Sequence, residues 1–90
     1  MARLDYNTEH FQKVEVKGIP CLFNDMRIDR NTIPTGKYLY EVADGDSDGV
    51  PARIREGIMV NFYGTLITDQ PLPMEDGVMW LEEKDWKWKE

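Results

Sequence analysis

The 90-residue chain holds one cysteine, one histidine and one serine, Cys21, His10 and Ser47. A serine–histidine pair would have to join the N-terminal arm to a hydroxyl flanked by Asp46 and Asp48, whose charges oppose a developing oxyanion. Cys21 lies between Pro20 and Leu22 and reads as a small core residue, not a thiolate. A lone cysteine excludes an internal disulfide and agrees with a reducing cytoplasm, the expected location. One histidine and one cysteine also leave no zinc set. Long apolar runs are missing too: a membrane helix needs about twenty such residues, and the longest aliphatic stretches here are three or so. The chain is therefore expected to be soluble, unexported and away from membranes. No stretch repeats its apolar residues at a helical 3.6-residue period over ten or more positions.

What is present is acid. Net charge is −6, unevenly placed. Residues 41–50 hold Glu41, Asp44, Asp46 and Asp48, and residues 69–83 hold Asp69, Glu75, Asp76, Glu82 and Glu83, with no lysine or arginine in either stretch. The rest of the chain is net basic. Local acidity of this kind disfavours phosphate neutralisation and points to a basic or electropositive partner. Acidic loops also keep a small domain soluble, which is the plainer account.

The hydrophobic fraction of 41% supports one modest core, so residues 1–90 are expected to form a single domain with residues 1–9 as a loose arm. Alternation dominates. In 11–18, Val14 and Val16 face one way and Lys13, Glu15 and Lys17 the other, with Gly18 ending the strand. Residues 19–23 form a second short strand, followed by a bend near Asn24 and Asp25. Met26 and Ile28 then alternate with Arg27 and Asp29, which predicts an extended piece with its charged pair on one face. Pro34 and Gly36 suit the second and fourth positions of a type I turn, and the next strand places Tyr38, Tyr40 and Val42 together. Residues 43–50 are turn-formers throughout. Beyond them Ile54 points inward between Arg53 and Arg55, and Ile58, Val60 and Phe62 alternate with Met59, Asn61 and Tyr63. Gly64 is expected to supply a tight turn or bulge in a hairpin over about 57–69. Pro71 and Pro73 end that hairpin. Asp76 and Gly77 mark a turn, and 78–81 reads as a strand. Trp86 and Trp88 suit an edge strand and are the aromatics expected to be exposed, as at a protein interface. Residues 82–84 suit a helical turn. The whole is a mainly β domain of five to seven short antiparallel strands, as a small roll, sandwich or barrel.

The sharpest chemical motif is D-x-D-x-D-G at 44–49, the first half of a calcium loop. Its second half fails, because the bidentate glutamate would fall at Arg55, with Glu56 one residue late. Three exposed aspartates survive without metal, since a pair at about 6 Å in water repels by only about 0.7 kcal/mol. Calcium on Asp44, Asp46 and Asp48 is therefore an alternative, and no cofactor is expected. Arg27, Asp29 and Arg30 suit either a salt bridge holding the Pro34 turn or an exposed recognition patch. Tyr38, Tyr40, Phe62, Tyr63, Trp80, Trp86 and Trp88 would serve a base-stacking platform, although such alternation is more often core.

Three segments, IPCLFNDMRIDRNTIPTGKYLYEV, MVNFYGTLITDQPL and DGVMWLEEKDWKW, resemble the twenty-eighth of the large polyvalent-protein-associated domains. The likeness spans roughly residues 13–88. Its motifs run from Ile19, Pro20, Leu22 and Phe23, through Arg27, Ile28, Asp29, Arg30, Pro34 and Gly36, to Tyr38, Tyr40 and the run from Val60 to Thr65. The resemblance implies the conjugative elements and phages of Firmicutes, and it carries over no catalytic residue. That setting implies an accessory or counter-defence protein, and anti-CRISPR proteins are similar in size and charge. The expected activity is thus non-enzymatic binding of a host or element protein, including a nuclease effector. Its contact residues would be Glu41, Asp44, Asp46, Asp48, Asp69, Glu75 and Asp76 with Arg27, Asp29 and Arg30. The alternative is a nucleic-acid or nucleotide-binding module using the aromatics with Arg27, Arg30, Arg53 and Arg55. A small β enzyme is a third reading.

Overall fold

Two hairpins with two-residue turns set the local frame. Lys17 (φ 50°) and Gly18 (φ 83°) join β1 (Gln12–Val16) to β2 (Ile19–Asn24), with Val16 opposite Ile19. Positive φ at both turn residues is the primed geometry whose twist matches paired strands. Asp76 (φ 56°) and Gly77 (φ 78°) repeat that geometry ahead of β6 (Val78–Trp80). The computed structural model describes residues 11–45 and 51–89. Within them lie also β3 (Tyr38–Ala43), β4 (Arg53–Arg55), β5 (Phe62–Thr68) and β7 (Trp86–Trp88), plus short 3-10 turns at Arg30–Thr32 and Glu83–Asp85.

The seven strands make one antiparallel sheet in the order β6-β4-β3-β5-β2-β1-β7. Its two outermost strands are consecutive in sequence, and that decides the shape. A flat sheet would hold β6 and β7 about 29 Å apart, whereas the five residues 81–85 reach at most about 21 Å when fully extended. Part of that link is the 3-10 turn, which shortens it further. The sheet must curl, and it does so as a half-barrel.

Cross-strand register lines the concave face with one belt of side chains. Trp86 and Val16, Val14 and Cys21, Phe23 and Leu66, Tyr40 and Leu66, Val42 and Ile54, and Ile54 and Met79 are all directly opposed. All of these are buried. Residues 69–75 cross one end of the half-barrel, where Leu72 enters the core and its N–H donates to the Tyr40 hydroxyl at 3.0 Å. The mainly β class, the alternation in β1 and β3, the inward Ile54 and the Asp76–Gly77 turn all agree with the sequence.

Several expectations fail, each for a physical reason. Gly64 does not turn the chain; it sits inside the continuous strand β5. A Cβ there would overlap the Phe23 ring and stand 2.6 Å from the Asn24 carbonyl oxygen, so the glycine admits Phe23 into the core. The bulge falls one residue earlier, at Tyr63, since Val42 pairs with Gly64 and Ala43 with Phe62. Ile58 and Val60 are not strand residues of a hairpin but lie 81% and 97% exposed in the loop before β5. Met26 and Ile28 do not share a face: Met26 is exposed and Ile28 buried. The Pro34 turn is closed by Lys37 N–H to Pro34 O at 3.2 Å, which makes Pro34 its first residue. Gly36, at φ 94°, is then the third, as a type II turn requires. Trp86 is buried, packed edge-to-face with Phe23 at 5.5 Å between ring centroids; Trp80 and Trp88 are the exposed indoles.

Candidate functional site

The connection from β2 to β3 crosses the convex face of the sheet, because those two strands flank β5 on opposite sides. Its path is pinned at once. The Asn24 side chain accepts the Met26 N–H at 2.9 Å, and the Thr65 hydroxyl donates to the Met26 carbonyl at 2.8 Å. With its backbone held on both sides, Met26 leaves its side chain in solvent. The next residue reaches the other way, to the Glu41 carboxylate on β3.

That contact is an ion pair in which one Arg27 nitrogen lies 2.8 Å from both Glu41 oxygens. A second Arg27 nitrogen donates to Met59 O at 3.1 Å, while Glu41 accepts the Met59 N–H at 3.0 Å. The guanidinium also lies over the Phe62 ring, 4.1 Å from its centroid. One arginine and one glutamate thus hold both backbone polar groups of Met59. Gly57 (φ 92°) turns the chain into this loop after β4. The consequence is a loop fixed at its centre, with Met59 buried and its neighbours Ile58 and Val60 displayed. Ile58 also borders an open groove of about 880 Å³ floored by Leu39 and Glu41 and walled by residues 25–31.

The expected contact residues do not assemble into one patch. Arg27 pairs with Glu41 instead of lying beside Asp29. Asp29 caps the adjoining 3-10 turn, accepting the Asn31 N–H at 3.0 Å and, through its carbonyl, the Thr32 hydroxyl at 2.7 Å. Arg30 is exposed on that turn. Asp69 pairs with Lys37. Asp44 follows β3 and its N–H donates to Asn61 O at 3.0 Å, whereas Asp69 lies past the opposite end of β3, beyond the Tyr38–Thr68 pair. Asp44 and Asp69 are therefore separated by about 20 Å along the strand direction. Glu75 and Asp76 are exposed in the turn before β6. Asp46, Asp48, Ser47 and His10 fall outside the described residues, and so does most of the calcium motif. Among the described residues no three His, Cys, Asp or Glu side chains converge as a metal set.

Cys21 is buried on the concave face, its thiol donating to Ile19 O at 3.2 Å, and desolvation pushes its pKa up to about 12. It is a core residue, as its apolar neighbours suggest. Burial likewise raises the pKa of Tyr40 and Tyr63. The seven aromatics do not form one platform: Tyr63, Trp86 and Trp88 gather around the core residue Phe23 at 5.2–5.5 Å between ring centroids, with Trp80 apart on β6. Sequence reasoning missed the displayed pair Ile58 and Val60, because alternation alone assigns them to a buried face. Gly57 at the head of that run was the only local sign of a turn.

A family model described as large polyvalent protein associated domain 28 matches residues 7–90. The chain belongs to that family. The match to this domain 28 family takes in the whole Arg27–Glu41 assembly and both acidic stretches, and extends the resemblance seen over 13–88 at both ends. Searches of curated proteins and of solved structures each find no match. No helix among the described residues is long and apolar enough to cross a membrane.

Proposed function

We propose that this domain is a non-enzymatic binding protein of a mobile genetic element that acts in counter-defence, in the manner of an anti-CRISPR protein, by occupying a host protein. The observation that carries the reading is the loop at 57–61. Two aliphatic side chains stand almost wholly in water on a loop whose central residue is clamped by charge-assisted hydrogen bonds. Exposed aliphatics side by side on a loop suit a protein contact, and a rigid display loses little entropy on binding. Membership of a polyvalent-protein-associated family supports the mobile-element setting. Asp44 and Asp69 lie at opposite ends of β3, so we take the acidic residues to supply steering toward a basic partner and not the main contact.

The test is affinity capture from a host of the element, with the unmodified chain and with the double variant Ile58→Ser/Val60→Ser. A partner retained by the first and lost by the second, with both folded by circular dichroism, is the expected result. Equal retention by both would remove the loop from the interface. If the partner is a nuclease, inhibition should weaken in parallel with capture, and lysines at Asp44, Asp46, Asp48, Glu75 and Asp76 should slow association without abolishing inhibition.

A further inference from the structure

A second exposed surface, independent of the loop at 57–61, lies on the convex side of β4 and β6. Arg53 and Trp80 are directly opposed across the two strands, with the guanidinium 5.3 Å from the indole centroid. Trp80 is 66% exposed, so this large apolar ring is stacked on one neighbour and otherwise wet. Arg55, two residues along the same face, is exposed opposite Val78. Its other cross-strand neighbour is Glu41, whose carboxylate is already engaged by Arg27 and Met59. Neither Arg53 nor Arg55 has an ion-pair partner among the described residues. In a chain of net charge −6, two arginines with no ion-pair partner among the described residues, beside an exposed tryptophan, suit an anionic ligand.

We infer that this strip binds a short acidic segment of a partner protein in extended conformation, with two alternate carboxylates on Arg53 and Arg55 and the methylenes of the glutamate over Arg53 against Trp80. Spacing favours it. Alternate residues of a strand are about 6.6 Å apart on one face, and the same repeat in an extended ligand matches acid to arginine. Tryptophan and arginine are also the residue types that most often dominate interface energy. The strip is bounded. Glu75 and Asp76 lie in the turn into β6 at the Arg55 end, Glu56 follows Arg55, and Asp44 follows the Ala43–Arg53 pair at the other end. A nucleic-acid strand continuing past the two arginines would run its phosphates into those carboxylates, whereas a two-carboxylate segment ends where the cations end.

The experiment is an NMR titration of the full chain with the capped pentapeptide acetyl-Gly-Glu-Thr-Glu-Gly-amide, following the Trp80 indole N–H and the Arg53 and Arg55 side-chain N–H resonances. Saturable shifts confined to these groups are expected. Affinity should fall at least fivefold in Arg55→Glu and again in Arg53→Glu, and should be unchanged in Ile58→Ser/Val60→Ser. That last variant separates this surface from the loop, so either can fail alone. Equal shifts with the Gln-for-Glu peptide, or no saturation with either peptide, would overturn the assignment. Tighter binding of a thymidine dinucleotide at the same resonances would overturn it in favour of nucleic acid.

Discussion

The concave and convex faces of this half-barrel are built by different means. Inside, apolar residues at alternate strand positions oppose one another from Trp86 on β7 to Met79 on β6, and the polar contacts there are few. Outside, the chain lays two connections across β3 and β5, and the arrangement is set by hydrogen bonds between residues 14 and 32 apart in sequence. The inner face is held by area and shape, which are non-directional and large in sum. The outer face also buries Ile28, Met59 and Ile67, but the course of its connections is set by a few directional contacts, each modest in net energy. Stability should therefore reside mainly inside, and the geometry offered to partners mainly outside.

The strongest way to break that division is to open the belt. Leu66 is fully buried between Phe23 on β2 and Tyr40 on β3. Leu66→Ala should lower the unfolding free energy by about 3–4 kcal/mol through lost transfer energy and the cavity left behind. Urea denaturation measures it. A loss below about 1 kcal/mol would mean that the concave face is loosely packed and that the faces do not differ as described.

Gly64→Ala is the complementary test, adding atoms where Leu66→Ala removes them. The new methyl meets the Phe23 ring and the Asn24 backbone together, so a rotamer change alone cannot relieve it. A loss of about 2–3 kcal/mol is expected, with altered near-ultraviolet circular dichroism, since Phe23 contacts Tyr63, Trp86 and Trp88. Second-site Phe23→Leu should restore part of it. Restoration by a substitution on the convex face instead would show that Gly64 serves the outer connections.

The same contrast explains what could be read from the sequence. Period-two alternation is a local property, so β1, β3 and the inward Ile54 were legible, and so were the turns whose glycines follow Lys17 and Asp76. The half-barrel was within reach of the same reasoning once strand order was known, because only the length of 81–85 is needed to exclude a flat sheet. The outer face was not legible. Arg27 has Asp29 two residues away and no local sign that its partner is Glu41, and the run Ile58–Val60 looks like strand whether its chain pairs or bulges into solvent. Gly64 was misread because a glycine between β-prone segments marks a turn and a close approach equally well. Only the tertiary neighbour, Phe23, distinguishes them.

The smallest expected effect on stability falls on the outer lock, and it is the most informative. Glu41→Ala removes the acceptor shared by Arg27 and the Met59 N–H. Arg27 is 44% exposed and rehydrates readily, so the ion pair itself contributes little. The net loss should be about 1 kcal/mol, chiefly from the Met59 N–H left without its acceptor. Loop geometry should respond more than stability does. Amide exchange at Met59 should accelerate by at least tenfold while exchange in β5 accelerates no more than the lost global stability sets. Glu41→Gln, which keeps an acceptor for Met59 but not the charge, should retain most of the protection. If Glu41→Ala leaves Met59 exchange unchanged, the loop is held by the burial of Met59 alone, and the directional contacts of the outer face are not what presents Ile58 and Val60.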